Sequence, residues 1–205
     1  MKILGVLTLS ALAGVASAAG NLIQNSDFGV GSPTLANWDL IEYIGADPAP
    51  GHIGVTSQYF VSSRHSASFQ GNFDFTNAAF YIRQEFGPVT NVEEISLYGL
   101  SRDQDIRVHL LYTDGTADFL SKYFTIPDLN VDPTNADWVK WDLTSELDLG
   151  KTLKGIEVGI DTGGANRGYD AWVDDITVRA TAVPEPGSMV ALGLGVAALL
   201  RRRRV

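Results

Sequence analysis

Apolar residues recur at every second position of this chain in short bursts, and Gly, Pro, Asn and Asp divide one burst from the next. Between Asp105 and Tyr112, Ile106, Val108, Leu110 and Tyr112 alternate with Arg107 and His109, as in a strand with one buried and one wet face. Between Ala78 and Phe86 the same period sets Phe80, Ile82 and Phe86 against Tyr81, Arg83 and Glu85; from Glu94 to Leu100 it groups Ile95 and Leu97 with Gly99. Shorter runs predict strands at Asn21 to Asn25, Trp38 to Ile44, His52 to Thr56, Ser66 to Gln70, Trp138 to Leu143, Leu153 to Ile160 and Ala171 to Val178. Asp114-Gly115 is a hairpin turn that welcomes positive φ and leads into a strand from Ala117 through Phe124. Thr144 to Leu149 predicts a brief helical turn capped by Thr144 or Ser145. Trp138 and Trp141 face opposite ways on a regular strand, so only one enters the core.

Helical periodicity is scarce and no βαβ spacing occurs. Short strands joined by glycine-rich turns predict an all-β fold, an antiparallel two-sheet β-sandwich of the jelly-roll type, with a single closed barrel as the structural alternative.

The two ends depart from this pattern. Lys2 precedes a largely apolar run from Ile3 to Val15, too short to cross a bilayer comfortably, and Ala16-Ser17-Ala18-Ala19-Gly20 offers small residues to a signal peptidase. At the other end Pro184-Glu185-Pro186-Gly187 interrupts strand or helix, Met189 to Leu200 carries no charge, and Arg201 to Arg204 suit the inner surface of an anionic membrane. As helix the apolar run reaches only about 18 Å against a hydrocarbon core of roughly 30 Å, which suits transient retention. The chain therefore divides into a signal peptide over 1–19, one β-sandwich domain over 20–180 and a tail over 181–205.

With the ends set aside, residues 20 to 183 hold 10 Lys and Arg against 23 Asp and Glu, a formal charge of −13. Such a surface repels phosphate backbones, which argues against nucleic acid and makes divalent cations better company. Cysteine is absent, so an exported domain of this length must rest on one hydrophobic core, with oxygen-ligated metal as the available staple in place of disulfides.

Val183-Pro184-Glu185-Pro186-Gly187, the apolar run and the arginine cluster, in that order, resemble the PEP-CTERM sorting signal. The resemblance implies processing by an exosortase, a membrane protease of Gram-negative bacteria that make extracellular polysaccharide. It also implies export to the cell surface or extracellular matrix, with transient anchoring in the inner membrane. Asn21-Leu22-Ile23-Gln24-Asn25-Ser26-Asp27-Phe28, followed by Trp38, resembles the opening of galactose-binding-like carbohydrate-binding modules, and Val173-Asp174-Asp175-Ile176-Thr177-Val178 resembles their closing strand. This second resemblance implies a structural calcium ion tying the first loop to the last strand, with Asp27 and Asp175 as the matching ligands and Asp174 as a substitute. Gly29 stands where such openings commonly carry an acidic residue, which weakens the transfer of that site. Asp174 and Asp175 point to opposite faces if both lie in a regular strand, so at most one serves a given site.

A pyranose presents an apolar face that stacks on an aromatic ring and hydroxyls that seek amide, carboxylate or guanidinium partners. Trp38, Tyr43, Tyr169 and Trp172 lie near predicted loops or strand ends, with Arg83, Asn166 and Arg167 as polar partners. The four tryptophans suit a sandwich core equally well. The segment Asp161 to Asp170 mixes glycine, carboxylate, amide and aromatic groups, as a ligand-contacting or a plain connecting loop would. His52, His65 and His109 are isolated, and there is neither a thiol, a Gly-x-Ser-x-Gly elbow nor a phosphate-binding glycine loop, so the chain reads as non-catalytic. The expectation is an exported surface or matrix protein that binds extracellular polysaccharide. The alternative is a matrix or adhesion protein that associates with itself or other proteins through a calcium-loaded acidic domain.

Overall fold

Ten strands follow one another along the described residues: β1 (Asp39–Tyr43), β2 (His52–Thr56), β3 (Ser66–Asn72), β4 (Ala79–Val89), β5 (Val92–Arg102), β6 (Asp105–Tyr112), β7 (Ala117–Tyr123), β8 (Val139–Asp142), β9 (Leu153–Asp161) and β10 (Gly168–Ala180). The structure is a computed structural model and describes residues 20–29, 35–43, 52–62, 64–72, 79–102, 105–124, 137–161 and 168–181. The expected signal peptide, the Pro-Glu-Pro motif, the apolar run and the arginines lie outside the described residues.

The strands form two five-stranded antiparallel sheets, β1-β4-β9-β6-β7 and β2-β3-β10-β5-β8. This is an all-β two-sheet sandwich, and the phase of each strand follows the alternation in the sequence. Ile106, Val108, Leu110 and Tyr112 of β6 meet Ile156, Val158 and Ile160 of β9 and Phe80 and Ile82 of β4, facing Ile95, Leu97, Val173, Ile176 and Val178 across the sandwich. Each fully buried aliphatic or aromatic side chain contributes about 1.5–3 kcal/mol, and this core stands in for the absent disulfides.

Asn21 to Asn25 does not form the expected strand: Asn21 makes one bridge to Arg179, and a turn follows. The segment is nonetheless fixed to both sheets. Asn21 Oδ1 accepts from Val178 N at 2.9 Å, Asn21 Nδ2 donates to Ile176 O at 3.0 Å, and Ile176 N donates to Ser26 O at 3.1 Å. From the other sheet, buried Gln84 accepts from Gln24 N at 2.7 Å and donates to Gln24 O and Asn37 O, each at 3.0 Å. The expected helical turn is a short 3-10 helix, Thr144–Glu146, preceded by Leu143 with no side-chain cap; Asp142 Oδ1 instead accepts from Thr144 N at 2.9 Å.

Trp138 and Trp141 do face opposite ways. Trp141 packs on the core between the sheets, whereas Trp138 joins Tyr59, Leu100 and Trp172 in a second cluster. Leu100 and Trp172 are register partners, and Leu97 and Val173, an odd number of residues along the same strands, point into the core, so this second cluster covers the outer face of the β10-β5 sheet.

Candidate functional site

The outer face of the first sheet brings one side chain from each of its five strands into a single row: Asp39, Arg83, Glu157, His109 and Phe119 are successive register partners. Glu157 sits on the central strand with only 3% of its surface exposed. A carboxylate buried on a sheet face needs partners to offset its lost hydration. Arg83 supplies them from β4, with Nε donating to Oε1 at 2.6 Å and a second guanidinium nitrogen donating to the same oxygen. From β6, His109 Nδ1 hydrogen-bonds the other oxygen at 2.7 Å.

His109 is held by rings on both sides: Tyr81 lies 4.6 Å away and Phe119 meets it edge-on at 4.5 Å, centroid to centroid. Tyr81 is buried, while Phe119 leaves 74% of its surface in solvent. The Phe119 ring is thus the exposed end of a fixed aromatic row, with the Glu157 carboxylate two strands away and the Arg83 guanidinium three. Gly159, the register partner of Tyr81, lies so near β4 that a Cβ there would run into the Phe80 carbonyl and meet the Tyr81 Cα at 2.7 Å. The close approach of β4 to β9 therefore depends on this glycine.

The hairpin that carries Phe119 is set by its turn. Gly115 has φ +84°, and Asp114 Oδ1 accepts from Thr116 N at 2.9 Å and Thr116 Oγ1 at 2.7 Å, bonds that hold the Asp114 carboxyl below its usual range. Behind it, buried Tyr112 donates to Asp118 Oδ2 at 2.5 Å and accepts from Asp148 N at 3.2 Å; burial pushes its hydroxyl up to about 12. These contacts fix the register that sets Phe119 opposite His109.

The residues expected to touch sugar are distributed differently. Trp38 is a core residue: it is 6% exposed, stacks on Phe28 at 5.8 Å and donates from Nε1 to Asn25 O at 3.2 Å. Trp172 is 2% exposed beneath Tyr59, 4.8 Å away. Neither ring has a free face for a pyranose, because filling the sandwich and its outer cluster outcompetes display. Among the described residues of that set, Arg83 reaches the row. Tyr43 and Tyr169 are placed by backbone only, opposite Ala79 and Gly71, and Asn166 and Arg167 lie outside the described residues. Tyr81, His109, Phe119 and Glu157 did not stand out as candidates in the sequence; the available signal was a glutamate at an outward position of the apolar strand Leu153 to Ile160, together with outward Arg83 and His109.

The three expected metal ligands each accept hydrogen bonds from neighbouring groups of the protein. Asp27 Oδ1 accepts from Gly29 N at 3.2 Å. A β-bulge between Asp174 and Thr177, with Asp175 at φ +48°, overturns the expected opposition of the two neighbouring carboxylates. Both turn to one loop: Asp174 Oδ2 accepts from Val61 N at 2.7 Å and Ser62 N at 3.2 Å, and Asp175 Oδ1 accepts from Ser62 Oγ at 2.5 Å. Asp174 Oδ1 also accepts from Asp175 N at 2.8 Å, so its oxygens already serve backbone donors. Burial pushes the Asp174 carboxyl up to about 7, against the pull of those N–H bonds. Among the described residues no group of three or more His, Cys, Asp or Glu side chains is arranged to hold a metal ion.

The PEP-CTERM protein-sorting motif matches residues 182–204. A search of curated proteins returns no match. Among solved structures, the arabinose-bound MgGH51 α-L-arabinofuranosidase matches with a TM-score of 0.51 and 16% identity, over 81% of this chain and 27% of that enzyme. The TmCBM61 module in complex with β-1,4-galactotriose matches at 0.49 and 14% identity, over 78% of this chain and 99% of the module. At these identities the likeness is one of fold. The chain is a jelly-roll-type antiparallel β-sandwich that carries a PEP-CTERM sorting motif, the mark of an exported, surface-associated protein.

Proposed function

We propose that this protein is a non-catalytic surface or matrix module that binds extracellular polysaccharide through the outer face of its first sheet. The observation that carries the reading is the exposed Phe119 ring, held edge-on by His109 beside the Arg83–Glu157 pair. The ring offers a stacking surface for the apolar side of a pyranose, and Arg83, three strands away with 30% of its side chain in solvent, offers donors to hydroxyls of a sugar unit farther along the polymer. The net acidity of the domain favours a neutral polymer over a polyanion. The solved neighbour whose name mentions bound arabinose agrees with a sugar ligand, and the sorting motif agrees with exosortase processing and delivery to the surface.

The test is electrophoresis through gels containing galactan, arabinan, mannan, xylan or polygalacturonate. Retardation by at least one neutral polymer, weaker in polygalacturonate and relieved by Phe119→Ala, is the expected result. Equal mobility in every gel would overturn the reading. The matrix or adhesion alternative predicts assembly of the chain without any retardation.

A further inference from the structure

The opposite side of the sandwich carries a polar groove of about 500 Å³, within the range of saccharide-sized sites. Its floor is the outer face of β5, where Ser96 and Tyr98 alternate with the core residues Ile95 and Leu97; β8 contributes Lys140 and β10 contributes Asp175 and Arg179. Glu94 organises one end. Its Oε1 accepts from Lys140 Nζ at 3.0 Å and Ser96 Oγ at 2.9 Å, and Arg179 stands 3.4 Å from Oε2. The bond from Lys140, with that from Ser96, holds the Glu94 carboxyl below its usual range, so it acts as an acceptor.

Asp175 forms part of another wall, and its backbone is left-handed, a conformation that few non-glycine residues adopt. The bulge and this φ turn the carboxylate out of the alternation of β10 and bring it to the groove, where Ser62 fixes it. Glu94 and Asp175 balance Lys140 and Arg179, so the groove is formally neutral on a strongly acidic domain. Donors and acceptors interleave there, with Tyr98 as an aromatic wall. That set suits a hydroxyl-rich neutral ligand, and the net acidity of the domain around it disfavours a polyanion.

Resting on the polysaccharide-binding reading above, we infer that this groove is a second saccharide site, and that the domain bridges two neutral polysaccharide strands held on opposite faces of the sandwich. The sheets stack about 10 Å apart and both sites lie on outer faces, so one sugar unit does not reach both. A module with two such faces links polymer strands, and linkage raises the apparent affinity for a polymer above that of either site alone.

The experiment uses the neutral polymer that retards the wild-type chain most in the gels above, as oligosaccharides for calorimetry and as intact polymer for turbidity. The wild type is expected to bind oligosaccharide at two sites per chain and to cloud the polymer solution. Phe119→Ala should leave the groove site intact and weaken the Phe119 site, the Lys140→Ser/Arg179→Ser variant should leave the Phe119 site intact and weaken the groove, and each should cloud the polymer less than the wild type. Amide shifts of Ser96, Tyr98 and Thr177 in the wild type give a readout independent of whether that double variant folds. One site per chain, with groove amides unmoved at saturation, would overturn the second site and leave the first-face reading standing. No binding of any neutral polymer by the wild type would overturn both.

Discussion

Replacing Glu157 by Gln keeps the shape of the side chain and removes the charge that Arg83 and His109 share. For a fully buried pair, breaking one partner costs about 3–5 kcal/mol. Arg83 keeps 30% of its side chain in water, and screening there lowers the expected loss to about 2 kcal/mol. With a urea slope of about 2 kcal/mol/M, the unfolding midpoint should fall by about 1 M. A double-mutant cycle with Arg83→Met isolates the pair: the two losses should fail to add by about 1 kcal/mol or more, since both remove the same contact. His109, released from Oε2, should no longer hold Phe119 in one orientation, so retention in neutral-polymer gels should also weaken. A midpoint shift below about 0.2 M, or additive losses, would refute the assignment of Glu157 as the residue that organises this face.

Phe119→Ala should separate stability from function. Because 74% of the ring is already exposed, only about a quarter of a burial worth roughly 2–3 kcal/mol is lost, so thermal melting should report a change near 0.5 kcal/mol. Loss of stacking worth about 1–1.5 kcal/mol should weaken glycan binding at the Phe119 face by roughly five- to tenfold, measured by calorimetry. Gly99→Ala should destabilise by about 1–3 kcal/mol, because its Cβ would stand 2.7 Å from Cζ of the Phe124 ring; chemical denaturation should show partial rescue by Phe124→Leu. Asp174 supplies a pH test. Its carboxyl is raised from 3.8 to about 7 in the fold, so the native state holds a proton that the unfolded chain releases, and its contribution to stability should fall as pH rises from about 4 to about 7. Comparing urea midpoints across that window, Asp174→Asn should be flatter than the wild type.

Alternation in the sequence carries much of the fold. It places β6 from Asp105 to Tyr112, sets Phe80 and Ile82 inward, and predicts the Asp114-Gly115 hairpin, because a sheet with one dry face leaves a period of two in the chain. Pairing across long separations is not encoded this way. Nothing near Glu157 announces that Arg83, from a strand far upstream, lies beside it, and that register makes the row. Aromatic type is equally silent on exposure: Trp38 and Trp172 look like display residues near strand ends yet are buried, Trp38 in the core and Trp172 in the outer cluster, while Phe119 sits in an ordinary strand and faces water. The bulge at Asp175 departs from alternation for a geometric reason, which is why two neighbouring carboxylates reach one loop.

Position 119 offers the most direct measurement. A Phe119→Trp variant places an indole where the native ring is exposed, while buried Trp38, Trp138 and Trp172 and half-buried Trp141 supply a background that is subtracted with the wild-type titration. Titrated with oligosaccharides of the retarding neutral polymer, its emission should shift to the blue and saturate at the concentration that saturates calorimetric binding. Binding that proceeds by calorimetry with no change in the emission from position 119 would contradict the placement of the glycan on this face.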